Sequence, residues 1–481
     1  MPLLEIDDIQ GIILFNYGRL RSACYLLLQI SEPAATRAWL KSLELLSARF
    51  DSKTTDRAIN IAFTPAGLSR LGLSDAVMAD FAGEFMQGMT GTSHRQRTLG
   101  DVGDSSPDAW SWGGPRTPAP HVLLMLFGRD DAVLAEVARE QEAAFSRAGL
   151  SQIARLDTNW LPKQREHFGF RDGVSRTDIE GFHTDARPEN SVAPGEFILG
   201  YLNAYGQYTQ RPLVAPEQDP QGLLSTAPDD PSRHDLGMNG SYLVFRQLRQ
   251  HVGAFWKYVD EQAKRIPGVV DPNAAVRLAS KMIGRWPSGT PLVVAPAVDD
   301  PARCDENEFF YYRSDDPHGL KCPIGAHIRR ANPRDALDPE PGSDRSIEVG
   351  KRHRVLRRGR TYGPPVAESM EIPDILAVAD TGGDRGLHFI CFNTQIGRQF
   401  EFIQHTWLNN PKFDGLYEDD DPLVGDRGGS HGKPGGTFTV QAEPVRTRVT
   451  GMPRFTQVRG GGYFFMPGIR AVRFLGSLGS R

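Results

Sequence analysis

The chain predicts an α+β fold built of two ferredoxin-like domains with antiparallel sheets. Three observations carry this. Strand and helix patterns alternate as strand–helix–strand twice over in the first third, the β-α-β-β-α-β order of a ferredoxin-like unit. A less regular version of the same order recurs in the second half. With 481 residues, the chain is also too long for one simple core.

The elements follow in order. "SACYLLLQI" (22–30) is a buried-strand run, and "SEPAATRAWLKSLELL" after it reads as a helix with Ser31 as N-cap and Pro33 in its first turn. "AINIAFT" (58–64) and "HVLLMLFG" (121–128) are the second and third strands. "DAVLAEVAREQEAAFSRAG" is a helix closed by Gly149, and "SQIARLDTNW" (151–160) completes the unit. In the second half, "SYLVFRQL" (241–248) leads into a helix ending near residue 264. "LHFICFNT" (387–394) precedes the helical "QIGRQFEFIQHTWLNN" (395–410), and "GGYFFMPG" (461–468) closes the sheet. Residues 181–238 are rich in Pro, Gly and Asp and lack helical periodicity. They divide the chain into an N-terminal domain (1–180), a connecting segment (181–238) and a C-terminal domain (239–481). Connections as long as this one and the stretch 409–437 commonly wall a pocket.

Bulk properties exclude several classes. The net charge is −4 and no dense basic stripe occurs, so nucleic acid is not an expected partner. No apolar run approaches the ~20 residues that span a bilayer. The opening "MPLLEIDDIQGIILF" carries acids where a signal peptide carries bases, so a cytoplasmic location is expected. Cys24, Cys304, Cys322 and Cys391 lack C-x-x-C spacing, which argues against zinc, iron–sulfur and disulfide frameworks, and no C-x-x-C-H occurs for covalent haem.

Three stretches carry candidate chemistry. "HFGFRDGVSR" (167–176) holds Arg171 and Asp172 in a loop bracketed by Gly169 and Gly173; by itself such a loop is an ordinary turn. "CPIGAHIRRANPR" (322–334) surrounds His327 with Arg329, Arg330 and Arg334 and no acid, a pattern suited to an anionic ligand beside an imidazole. "HRVLRRGRTYGPPV" (353–366) adds Arg357 and Arg358 before a rigid turn.

Together these stretches resemble the dye-decolourising peroxidase family: "GFRDG" its G-x-x-D-G signature, "GAHIRRANPR" its proximal-histidine segment and "VLRRGRTYG" its distal-arginine segment. "IDDIQGIIL" and "GGGYFFMPGIRAVRF" are similar to the longer intracellular subgroup, so the likeness runs from about residue 7 to 474. The resemblance implies a haem-dependent peroxidase that reduces hydrogen peroxide and oxidises bulky aromatic reductants such as dyes and phenols. Its cofactor would be non-covalent haem b, in a pocket lying mainly in the C-terminal domain.

Residue by residue, the resemblance gives Asp172 as distal acid–base, Arg357 (two before Gly359) as distal guanidinium and His327 as iron ligand. Arg329 and Arg330 are the expected propionate partners, with the choice between them open, and Phe389 is expected as an apolar wall of the distal pocket. Asp421 and Glu401 are alternatives for the carboxylate behind His327. Trp407 and Tyr362 are candidate electron relays, although Ile396, Phe400, Ile403 and Trp407 also form one helical core stripe.

An aspartate acting as base implies activity highest in acid. The rival reading is a haem-binding or haem-delivery protein without turnover, which has no need of a distal acid and guanidinium. A chlorite-dismutase-like enzyme is disfavoured by the G-x-x-D-G loop, and a haem-free scaffold is separable by absorbance. The tail "FLGSLGSR" is similar to one that loads some members into protein nanocompartments, but Gly/Ser tails are ordinarily flexible ends, so such loading is not expected. The oligomeric state is left open.

Overall fold

The computed structural model describes residues 3–265, 271–378, 382–427 and 435–479. Its centre is a nine-stranded sheet. The N-terminal half supplies β1 (Ser22–Ile30), β2 (Arg57–Phe63), β3 (Val122–Gly128) and β4 (Leu150–Asp157). The C-terminal half supplies β5 (Ser241–Gln250), β6 (Leu356–Arg357), β7 (Arg360–Tyr362), β8 (Gly386–Asn393) and β9 (Thr456–Met466). The order across the sheet is β4-β1-β3-β2-β9-β5-β8-β6, with β7 also on β8, and every pairing is antiparallel. Each half has the ferredoxin-like order, its fourth strand beside its first and its third beside its second. The halves meet where Phe63 of β2 pairs with Phe465 of β9.

Helices α1 (Pro33–Ser42) and α2 (Asp131–Arg147) serve the first half; α3 (Val252–Ala263) follows β5. The central strands read as unbroken apolar runs because both faces are covered. Cys24, Leu26 and Leu28 of β1 join one core, with Val122, Leu124 and Leu126 of β3. Ala23, Tyr25 and Leu27 turn to the opposite core, with Leu123, Met125 and Phe127. Fully burying each Leu or Phe contributes ~1.5–3 kcal/mol, so this two-sided burial outweighs the polar connections around it.

Some local expectations are corrected. Ser31 is not the cap of α1: its hydroxyl donates to the Gly149 carbonyl at 2.6 Å, and Glu32 takes the cap position. The stretch expected as a helix over 395–410 is wound more widely over Gly397–Glu401 and Ile403–Leu408, with Glu401 N–H donating to Ile396 O and Asn409 N–H to Gln404 O, each at 2.9 Å. Such five-residue spacing is a π-helix, a form that recurs at functional sites. The 181–238 stretch folds down onto the sheet, burying Leu199, Val214, Leu224 and Leu236 in the first core. Phe474 and Leu475 of the tail are buried within α5 (Ile469–Ser477). Among the described residues no helix is long and apolar enough to cross a membrane.

Candidate active site

The Gly169–Gly173 loop is anchored by its aromatic residues. Phe168 and Phe170 point into one core, Phe168 meeting Phe255 of α3 at 4.6 Å and Phe170 stacking over Trp256 at 6.3 Å. The backbone turns between them at Gly169, where φ is +94° and a Cβ would lie 2.5 Å from Ile372 Cδ1, so only glycine fits. Arg171 fastens the far side, donating to Cys304 Sγ and Asp305 Oδ1 at 2.7 Å each. His167 Nε2 is 2.8 Å from the Tyr362 carbonyl, tying the loop to β7. Asp172 therefore projects from a stiff turn, its Oδ1 accepting from Gly173 N–H at 2.7 Å.

Opposite stands Arg357 of β6, whose Nη1 lies 3.5 Å from Asp172 Oδ1. Both side chains are 42% exposed and face open space. A pair this long and this exposed contributes under ~1 kcal/mol, so the loop and the strand position these groups independently. Strand alternation sorts the neighbouring arginines. Arg358 turns inward to the Ile12 and Ile13 carbonyls at 2.9 and 2.8 Å, and Arg360 is buried on the carbonyls of Arg21 and Tyr17. Arg357 alone of the three reaches Asp172.

His327 opens the short helix α4 (His327–Ala331), which packs against the π-helical stretch. Its Nδ1 lies 2.9 Å from Asp421 Oδ2; Asp421 is fully buried, and its Oδ1 accepts from Leu423 and Val424 N–H at 2.9 Å each. Burial would push Asp421 up, but His327, the Val424 amide and the nearby Arg330 charge hold it below the usual carboxylate range. Burial likewise pulls His327 down, yet the Asp421 charge and hydrogen bond outweigh it and raise the imidazole. Arg357 and Asp172 also act on His327, the first lowering and the second raising its affinity for a proton. Three stretches remote in sequence thus converge on one space.

No protein-family profile matches the chain. A dye-decolorizing peroxidase of Mycena epipterygia is 29% identical, the match covering 98% of this chain and 86% of that protein. The crystal structure of a fungal DyP-type peroxidase from Auricularia auricula-judae superposes with a TM-score of 0.78 at 25% identity, covering 99% of this chain and 100% of that one. A dye-decolorizing peroxidase solved in complex with 2,6-dimethoxyphenol superposes at 0.77 with 26% identity, covering 98% and 99%. The chain is thus similar over nearly its whole length, in sequence and in fold, to dye-decolourising peroxidases.

Against the family's pattern, two expectations are corrected. Arg329 and Arg330 do not face this space. Residues two apart on a helix point to different sides, and Arg329 is buried on the Asp316 carboxylate and on the carbonyls of Asp316 and Cys322. Arg330 is drawn in by the carbonyls of Trp407, Asn410 and Asp419. The sequence reading named Arg334 without giving it a role and passed over Arg354. Arg334 is 4% exposed, rests 4.1 Å over the Phe309 ring, and has its Nη1 buried without a hydrogen-bond partner; Arg354 Nε is buried likewise. Burial, with Arg334 nearby, pushes Arg354 down to about 9.

Of the carboxylates left open behind His327, Asp421 takes the position, while Glu401 pairs with Arg95 and accepts from Tyr463 Oη at 2.7 Å. Phe389 precedes Cys391 by two residues on β8, and Cys391 lies opposite Arg357, so Phe389 and Arg357 share a face of the sheet. Trp407 and Tyr362 are both buried, at 4% and 5% exposure, which makes neither a surface aromatic.

Proposed function

We propose that this dye-decolourising peroxidase reduces hydrogen peroxide and oxidises aromatic substrates such as dyes and phenols, using Asp172, Arg357 and His327 around non-covalently held haem b. The observation that carries the reading is the convergence of Asp172 and Arg357 on one side with the Asp421-backed His327 on the other. The residues present fit the cofactor. Asp421 occupies the Nδ1 side of His327 and so leaves Nε2 as the donor atom for iron, the arrangement in which a carboxylate strengthens a histidine ligand. Arg334 and Arg354, with buried nitrogens lacking partners, suit the two carboxylates of a porphyrin better than Arg329 and Arg330, whose guanidiniums are already hydrogen-bonded. A Cβ at Gly173 would meet nothing within 4 Å, leaving room beside Asp172 for a flat macrocycle.

When bound, haem supplies the redox centre that takes electrons from the aromatic and passes them to peroxide. The chain's own groups handle the proton. Asp172 Oδ1 is held by Gly173 N–H, so Oδ2 is the atom assigned to accept a peroxide proton and return it to the departing oxygen. Arg357 holds its fixed charge beside that oxygen as negative charge develops. Phe389, on the same face, excludes water. An aspartate base, with a reference value near ~3.9, stays ionised in acid where histidine, near ~6.5, is protonated, so activity favours acid. The dimethoxyphenol bound by the related peroxidase supports phenols as reductants here. Four free cysteines support a reducing, cytoplasmic setting. A haem carrier without turnover is not favoured, since it has no use for the Asp172–Arg357 arrangement.

Absorbance near the Soret region, recorded on haem-loaded protein and on His327→Ala, tests the reading together with peroxide-dependent oxidation of 2,6-dimethoxyphenol. Wild type should show a bound-haem band and turnover, and the variant should lose iron coordination. An unchanged spectrum in the variant, or absence of turnover in loaded wild type, overturns it.

A further inference from the structure

Glu166 lies just before the acid loop and has no part in the chemistry above. Its carboxylate accepts from three donors: Phe170 N–H on Oε1 at 3.0 Å, and Phe168 N–H and Gln250 Nε2 on Oε2 at 3.0 and 2.6 Å. Its main chain closes the same turn, N–H donating to Phe170 O at 2.9 Å and carbonyl accepting from Gly169 N–H at 2.8 Å. Gln250 ends β5, so this side chain fastens the loop to a second strand of the central sheet, besides the tie of His167 to β7. Asp172 follows Phe170 by two residues, its own N–H donating to Gln164 O at 3.0 Å. The chain leading into the acid thus depends on the turn that Glu166 holds.

We propose that Glu166 is a positioning residue for Asp172, its carboxylate setting the course of the loop backbone and hence the reach of the acid towards peroxide. This rests on the peroxidase reading. Burial pushes the Glu166 carboxyl up to about 7 against the pull of its three donors, with the Asp172 charge adding to the rise, so a costly group is retained here. In its ionised form, above about pH 7, both oxygens are acceptors. Glutamine matches the shape but turns an NH2 group on one of the loop's amides, leaving two donors face to face. The Phe168 and Phe170 side chains keep their packing in that variant, which separates positioning by the carboxylate from anchoring by the aromatics.

The test is Glu166→Gln in the full chain, read by amide hydrogen exchange over residues 166–173 and by steady-state kinetics against peroxide and 2,6-dimethoxyphenol. The Phe168 and Phe170 amides should exchange at least about tenfold faster, as expected on losing a buried acceptor, while β3 is unchanged. The kcat/KM for peroxide should fall by a similar factor with KM for the phenol unaltered. Unchanged exchange overturns the proposal, and so does faster exchange with unchanged peroxide kinetics. Failure of the peroxidase reading shows separately, as absence of turnover in loaded wild type, and takes this inference with it. If Glu166→Gln does not fold, Gln250→Met removes one donor from the carboxylate outside the loop. A smaller acceleration at the same amides with a lower kcat/KM for peroxide supports the proposal; no change in either overturns it.

Discussion

Asp421→Asn isolates the hydrogen bond behind His327. The carboxylate is fully buried and accepts from His327 Nδ1 at 2.9 Å and from the Leu423 and Val424 amides at 2.9 Å. Asparagine is nearly isosteric, and its single oxygen retains the two amides. Its NH2 then faces His327 Nδ1, which must become the acceptor, so the imidazole proton moves to Nε2, the nitrogen needed for iron. The fold survives and the ligand tautomer is wrong. Loss of a charge-assisted bond costs about 1.5–3 kcal/mol, matching the ~10–100-fold loss in metal affinity seen when such supporting carboxylates are removed. Titrating haem into apo-protein while following the Soret band measures this directly. Affinity within twofold of wild type, with an unchanged spectrum, would refute the idea that Asp421 sets the state of His327.

The remaining predictions concern the opposite side of the site and the core. Asp172→Asn should lower peroxide turnover ~10²–10⁴-fold and Arg357→Leu ~10²–10³-fold. These ranges overlap, so pH separates them: initial rates for the Asp variant should rise towards alkaline pH, where peroxide ionises unaided, while the Arg variant keeps an acid-favouring profile. Wild-type rates in Asp172→Asn at every pH would return the loop to being a plain turn. His388, stacked on Tyr362 at 4.5 Å, is pushed down to about 4 by burial, against its contact with the Asp157 carbonyl. The unfolded chain binds a proton there below ~6.5 and the folded chain does not until about 4. Stability should therefore fall by about 3 kcal/mol as pH drops through that window. His388→Phe should shrink the difference in Tm between pH 7 and pH 4.5; an equal difference in both proteins would dismiss the assignment.

By itself the sequence determined the strands and the chemical vocabulary. The apolar runs at 22–30 and 122–128 encode strands wherever they are placed, and both were legible almost to the residue. Gly169 was legible as a turn because positive φ is a local property. Arg357 was preferred to Arg358 from its place two before Gly359 in the pattern the sequence resembles; that Arg358 turns the other way, onto the Ile12 and Ile13 carbonyls, is seen only in the fold. Only the tertiary structure decided where longer side chains spend their hydrogen bonds. Arg329 and Arg330 look available beside His327, but the carbonyls that consume them belong to residues 316, 322, 407, 410 and 419, which folding brings around a five-residue helix. The choice of Asp421 over Glu401 likewise rests on a partner 94 residues from His327. Glu166 could not be found from sequence at all, because its meaning lies in three donors meeting two oxygens, and one donor comes from a strand 84 residues away. Periodicity and turn chemistry are short-ranged and survive in a string of letters; a buried polar group is defined by whatever the fold packs against it.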